Sequence, residues 1–427
     1  MKHTKQVFVF GFALFAGFFG AGNLILPPQL GFSTGTEWWL VSLGFIITTT
    51  IIPLLSIFGH AKLQGTMLDF GKKISSKFSL LYCVVMYLII VALPSPRTAA
   101  VTHEIAIEPI FGSPAWLTSI VYFSLVLFFV LNRSKALNFL GKYLTPIIII
   151  MVLLIIILGL AAPIGYVKDS IVASPFTHGF IEGYQTYDAL AGMVMGGVII
   201  ISLNAQGFES FAEKRHIIAR SGFIAMFGLF VIYAGLIALG ARHNSQFQAG
   251  ISRTELLLGL AHSSLGEIGA TFVGILVALA CFTTAVAITV SIADFFRALF
   301  NDRQQVYVIT AAICCLVGVL MGSYEVGFII DIALPALMFI YPISIVLILL
   351  NVVKESWATP LVFQLVVLTA FIFSIPDVLQ FFMGGELLSF LQSKIPLSKY
   401  NMGWLLPSVA VFLIVNLGRA VKRLSNT

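Results

Sequence analysis

Charge is scarce in this chain. Of its 427 residues only 10% are Asp, Glu, Lys or Arg, against 59% hydrophobic, where a soluble domain carries roughly a quarter charged residues. That shortage argues against a water-soluble fold of this size. Alternation with a period of two is missing as well, which argues against an outer-membrane barrel. No polar linker is long enough for a soluble domain and there is no low-complexity tract, so residues 1–427 read as one membrane domain. The four cysteines, Cys83, Cys281, Cys314 and Cys315, all fall in apolar segments without disulfide or metal-ligand spacing, which leaves packing as their role. His-Glu-x-x-His, Gly-x-Ser-x-Gly and paired Asp motifs are absent, which speaks against an intramembrane enzyme. No phosphate-cradling loop is present, so ATP is not expected. The lack of a tandem filter repeat or an acidic ring disfavours a channel.

What is present is a succession of apolar stretches about 20 residues long, the mark of an all-α, multi-pass membrane protein. Twelve spans are expected. The first six are Val7–Leu30, Trp38–Ala61, Ser79–Ala100, Ala115–Leu131, Leu144–Ala162 and Pro175–Ser202. The others are Ser221–Ala241, Glu267–Ala298, Val306–Met321, Val326–Leu350, Thr359–Ile375 and Trp404–Leu417. Lys2 and Lys5 before Val7–Phe19 imitate a signal peptide, but the apolar run continues past any cleavage point, so it reads as a retained first span. The pI near 9.1 reflects basic residues in short loops rather than a nucleic-acid partner. With the N-terminus inside, 18 Lys and Arg fall on the cytoplasmic side and six (Arg97, Lys168, Arg242, Arg253, Lys394, Lys399) on the outer side. An even number of spans then puts both termini in the cytoplasm.

The most informative stretch is Phe15-Ala-Gly-Phe-Phe-Gly-Ala-Gly-Asn-Leu-Ile-Leu-Pro27-Pro28. Glycine weakens a helix interior by about 1 kcal/mol relative to alanine, and proline removes a donor and clashes with the turn before it. Gly17, Gly20, Gly22 and Asn23 at membrane depth therefore predict an opened helix. Its bare amides and carbonyls need an ion or a polar solute to satisfy them. The sixth segment looks interrupted too. Ser174-Pro175 starts a helix, Phe176–Asp188 is too polar for lipid, and a break is expected near Asp188–Gly192 before an apolar inner half. The alternative is a shorter span with Phe176–Asp188 as an outer loop. Two interruptions five spans apart point to an inverted-repeat transporter.

Several polar groups admit two readings. Thr283 and Thr284 lie mid-span in the eighth segment, where each can bond a carbonyl one turn back; beside an opened first helix they become oxygen ligands for a hard cation. Asp188 is either an intramembrane carboxylate that works or a solvated one at the outer boundary. Asp294 and Arg297 suit an ordinary i,i+3 pair. Asp331 suggests gating or packing. Arg97 reads as a boundary anchor, or as one half of an outer gate with Glu104 or Glu108. Gly192 and Gly196 have the spacing of close helix packing.

Phe19–Pro28, Pro96-Arg97-Thr98-Ala99 and Gly183-Tyr184…Asp188-Ala189 together resemble the signatures of the branched-chain amino acid:cation symporters, the BrnQ-type carriers, and the likeness runs over essentially the whole chain. The resemblance implies uptake of leucine, isoleucine and valine across the bacterial inner membrane, with Na+ or occasionally protons as the coupling ion, no other cofactor and no obligatory protein partner. A carrier of the same fold for a different solute is the runner-up. It further implies a leucine-transporter-like five-plus-five inverted repeat, read here as 7–162 and 175–350, with two additional helices at 359–417 and broken first and sixth spans. By match of Asn23-x-x-x-Pro27 to that fold, amides of Ala21 and Gly22 would take the substrate carboxylate, and carbonyls of Phe18, Tyr187 and Asp188 its ammonium group. The implied Na+ site uses carbonyls of Ala16, Phe19 and Ala280 and hydroxyls of Thr283 and Thr284. Asn23 would serve a second site, which Asp188, standing where a neutral hydroxyl is usual, puts in question.

Overall fold

The computed structural model describes residues 2–132, 145–162, 166–383, 390 and 392–424. Among them every regular element is helical. Seven helical stretches are long and apolar enough to cross a membrane alone: 21–63, 76–111, 211–242, 268–299, 304–321, 326–352 and 360–379. Pro175–Thr186 and Asp188–Asn204 make a further span bent by 42°. Shorter apolar helices at Thr4–Phe18, Ala115–Leu131, Thr145–Ala161 and Leu405–Val421 complete the set. The stretch 21–63 holds the end of the first expected span and all of the second, so this inventory accommodates the twelve segments. Arg133, Lys135 and Lys142 of the charge count lie outside the described residues.

The first span is two helices, Lys2–Phe18 and Ala21–Thr34. The Phe19 amide still reaches back to the Phe15 carbonyl at 2.9 Å. Gly20 is extended (φ −123°, ψ −162°), and its amide donates to Asn23 Oδ1 at 3.0 Å instead of to a carbonyl one turn back. Asn23 thus caps the helix it belongs to, from its third position. The interruption is only two residues long. Pro27 and Pro28 lie inside the second helix, where neither can return a hydrogen bond to the carbonyls of Asn23 and Leu24.

In the sixth span the interruption falls before the expected stretch. Helix Pro175–Glu182 tightens into a 3-10 turn over Gly183–Thr186, Tyr187 adopts a left-handed conformation (φ 63°), and Asp188 begins the next helix. Thr186 Oγ1 accepts from the Asp188 amide at 3.3 Å. Gly192 and Gly196 are helical. A Cβ on Gly192 would sit 3.1 Å from Ser56 Cβ and 3.2 Å from the Pro53 carbonyl, and one on Gly196 would strike the His60 ring. Those glycines pack the inner half against the second span, as their spacing predicts, and do not break it.

The third span runs further than expected. Pro94 opens a helical segment rather than ending one, and the helical stretch continues to residue 111. Arg97 is therefore inside the span, 3% exposed, and not on an outer loop. Glu104 and Glu108 do not pair with it: Glu104 Oε1 accepts from the Val326 amide at 2.9 Å, and Glu108 faces His103 at 3.9 Å. Asp331 is exposed, on the side of its helix away from buried Ile329, Ile330 and Ala333, so packing does not describe it. Arg297 and Asp294 do pair, at 3.8 Å. All four cysteines are buried and unbonded.

Close backbone approach joins two pairs of elements. A Cβ on Gly31 would run into the Ile237 carbonyl and one on Gly240 into the Pro28 carbonyl. Gly44 and Gly179 likewise abut the carbonyls of Phe176 and Val41. Only glycine permits this. Gly44→Ala is expected to lower stability by about 1–3 kcal/mol through overpacking. Gly327→Ala, where nothing lies within 4 Å of the added atom, should be neutral or stabilising by about 0.4–1 kcal/mol. Thermal unfolding of the two purified variants side by side checks the contrast; equal effects would mean the helices are not packed this closely.

Candidate functional site

Between the two interruptions lies a cavity of about 50 Å3, walled by the first, third, sixth and eighth spans. Phe18, Gly20, Ala21, Gly22 and Asn23 supply one side, Thr186, Tyr187, Ala191, Val194 and Met195 another. Tyr87, Ile90, Arg97, Thr284, Ile288, Ser291 and Ile292 contribute to the rest. Most of this lining is apolar, with a few convergent polar groups, the usual character of a small-molecule site.

Of the residues singled out from sequence, Phe18, Ala21, Gly22, Asn23, Tyr187 and Thr284 line the cavity, whereas Ala16, Phe19, Ala280, Thr283 and Asp188 lie behind its wall. Ala21 and Gly22 are the first two residues of their helix, so their amides have no acceptor within it. The Tyr187 carbonyl is engaged, accepting from the Ala191 amide at 2.8 Å. Thr284 Oγ1 donates to the Phe19 carbonyl at 3.1 Å, and a Cβ on Gly20 would fall 3.0 Å from the same hydroxyl. The eighth span thus touches the first at its break. Thr283 does not take part; its hydroxyl turns back to the Ala280 carbonyl at 2.8 Å.

Asp188 is wholly buried, which removes the solvated reading. Asn23 Nδ2 donates to its Oδ1 at 3.0 Å and Oδ2 at 3.1 Å, and Tyr233 OH donates to Oδ2 at 2.8 Å. Asn23 Nδ2 also contacts the Tyr233 hydroxyl. One carboxylate therefore holds Asn23 in place while Asn23 holds the Gly20 amide. Tyr233 was not foreseen. It lies in an apolar run of the seventh span, and only its placement opposite Asp188 gives it a role.

Arg97, expected as a boundary anchor or half of an outer gate, is the one charged side chain lining the cavity among the described residues. Its Nη2 donates to the Gln185 carbonyl at 2.6 Å, and its Cζ lies 5.4 Å from the centre of the Tyr187 ring. Nε and Nη1 are buried with no partner among the described residues. A cation at such depth costs about 2.5–3.5 kcal/mol on insertion scales. Pro94 and Pro96 before it gave the sequence the look of a span's end.

The two ends of the site differ. Towards the face that carries the N-terminus, a second cavity of about 340 Å3 shares Tyr87, Val194 and Ser291 with the first and extends to Thr66, Ser202, Arg297 and Asp302. Towards the opposite face lies a cluster of linked polar side chains. Arg253 donates to Glu182 Oε2 at 3.1 Å and to Gln185 Oε1 at 3.2 Å, and Gln185 Nε2 donates to Glu182 at 2.9 Å.

Solved structures share this architecture. Mhp1, described as a nucleobase-cation-symport-1 family transporter in a closed conformation, superposes with a TM-score of 0.63 at 14% identity, over 98% of this chain and 93% of its own. MhsT in complex with L-phenylalanine gives 0.56 at 16% identity (96% and 97%). A Na+-coupled sialic acid symporter in a substrate-bound outward-open state gives 0.59 at 12% (96% and 89%). The fold is accordingly that of the leucine-transporter-like carriers, with broken first and sixth spans.

Sequence comparison takes this to a family. Residues 3–421 match the family described as "Branched-chain amino acid transport protein", and the chain belongs to it. The branched-chain amino acid transport system 2 carrier protein of Pseudomonas aeruginosa is 31% identical, covering 97% of both chains. The branched-chain amino acid permease BraB of Bacillus subtilis is 31% identical over 96% of this chain and 95% of its own.

Tyr233→Phe deletes a hydroxyl bonded to a buried carboxylate, and a loss of about 1.5–3 kcal/mol is expected. Chemical unfolding in detergent measures it. An unchanged midpoint would show that Asp188 does not depend on this donor.

Proposed function

We propose that the protein takes up leucine, isoleucine and valine across the bacterial inner membrane, coupled to Na+, by alternating access. The observation that carries the reading is the two-residue break at Phe19–Gly20, bound by Thr284 and bordering the central cavity. Free amides of Ala21 and Gly22 at a helix start form an anion site, suited to the substrate carboxylate. The apolar walls, Ile90, Val194, Ile288 and Ile292 among them, suit a branched side chain. A methylene more or less in such a pocket is worth only about 1–3 kcal/mol, so the three amino acids should compete. The repeats are read as 7–162 and 175–350.

Carbonyls of Ala16, Phe19 and Ala280 with the hydroxyls of Thr283 and Thr284 are the proposed Na+ ligands, a set of hard oxygens. Thr284 bonds Phe19 and Thr283 bonds Ala280, and each hydroxyl oxygen keeps lone pairs for a cation. Asn23, held by Asp188, is the candidate for a second ion. Orientation follows the basic residues: with Arg97 inside the bilayer, five of the former six remain on the outer side against 18 within. The wide cavity then opens to the cytoplasm, and Arg253, Glu182 and Gln185 form the outer closure of an inward-facing state. One Na+ moving down ~100 mV releases about 2.3 kcal/mol. A tenfold gradient adds roughly 1.4 kcal/mol, together enough for accumulation of several hundredfold.

The test is purified protein in sealed liposomes with labelled leucine outside and imposed ion gradients. Uptake should rise with an inward Na+ gradient, and a response to pH gradient alone would replace Na+ with protons. Thr284→Ala should raise the Na+ concentration for half-maximal uptake by about tenfold or more, as loss of one ligand worth ~1.4 kcal/mol requires, without altering competition among leucine, isoleucine and valine. An unshifted Na+ dependence would show the eighth-span site to be wrong.

A further inference from the structure

Two sets of unmet donors of independent origin converge on one wall of the central cavity. The first is the guanidinium of Arg97, buried, with Nε and Nη1 unpartnered among the described residues and only Nη2 engaged, on the Gln185 carbonyl. The second is the first turn of helix Ala21–Thr34, whose leading amides have no intrahelical acceptor. They adjoin each other. A Cβ placed on Gly22 would fall against Arg97 Nη2, and 3.1 Å from the Gln185 carbonyl that Nη2 binds. No acidic side chain lines the cavity among the described residues, and the oxygens of nearby Asp188, which is not part of the lining, are already engaged by Asn23 and Tyr233.

The geometry points to Arg97 as a binding residue for the substrate's carboxylate, acting together with the amides at Ala21 and Gly22. A guanidinium offers planar N–H pairs spaced to suit the two oxygens of a carboxylate, and such charge-assisted bonds are about twice as strong as neutral ones. With one N–H held by Gln185, the side chain is oriented and the rest of its fork is free. The ligand class is an α-amino acid with an ionised carboxylate; amides, esters and alcohols with the same side chain are poor ligands. Glycine at 22 is what lets the guanidinium lie against the helix start. The same arginine reaches the sixth span through Gln185, whose side chain meets Arg253 and Glu182, so carboxylate binding and the closure around Glu182 share a residue. This assignment rests on the reading of the cavity as an amino acid site.

A latch that merely held the two spans together would not distinguish leucine from leucinamide, which keeps the side chain and amine but lacks the charge. Binding of each is measured by ligand-induced thermal shift on the full-length protein in detergent. Wild-type protein is expected to favour leucine over leucinamide by about 10–150-fold, the factor for bonds to a charged group. In Arg97→Gln this ratio should collapse to within about threefold, through loss of leucine binding with leucinamide little changed, and Arg97→Lys should restore part of it. If Arg97→Gln does not fold, Gly22→Ala, which keeps the charge but pushes the guanidinium aside, should lower the ratio in the same direction. An unchanged ratio in either folded variant overturns the assignment, as does a wild-type protein that binds leucine and leucinamide alike. Wild-type protein that ignores all three branched-chain amino acids, yet tells another amino acid from its amide through Arg97, supports the assignment and sinks the proposed substrate.

Discussion

A peptide group in hydrocarbon has no water to turn to, and a broken helix survives there only if something nearby completes its hydrogen bonds. In this protein each interruption is completed mainly from within. Asn23 reaches back three residues to the Gly20 amide, and Thr186 reaches forward two to Asp188. Across the gap, Thr284 takes the Phe19 carbonyl. The breaks are consequently short turns rather than unwound lengths of chain. The cavity is small because so little backbone is left open.

The two charges near the breaks illustrate opposite solutions. Asp188 is finished: a side-chain amide and a phenol occupy its oxygens, and its work is to hold Asn23. Arg97 is unfinished, with one carbonyl for a partner and an aromatic face beneath it. A buried ion left partly unsatisfied is costly to keep. The asymmetry separates a supporting residue from one that faces the solute.

Much of this was legible beforehand, and unevenly so. Apolar length found the spans because lipid and protein interior demand the same side chains, and the bounds of Ala115–Leu131 coincide with the helix observed. The first break was readable from Gly20 and Asn23, residues with a physical reason to be there. The sixth is expected near Asp188–Gly192, where the chain turns from polar to apolar, and falls one residue earlier; the turn is made by Tyr187, whose left-handed backbone has no sequence signal. Arg97 was misjudged for another reason. Proline can end a helix or begin one, and Pro94 begins one. Tyr233 carries no local pattern at all, since its partners lie 45 and 210 positions away.

The glycine contacts have a mechanical consequence. Gly31 and Gly240 press the latter half of the first span backbone-to-backbone on the seventh, and Gly44 and Gly179 do the same for the second span and the opening helix of the sixth. Surfaces without side chains between them cannot slide by swapping rotamers. Each pair must travel as a single splint, which leaves the short hinges at Phe19–Gly20 and Tyr187 as the places where the chain can flex while its two ribbons keep their grip.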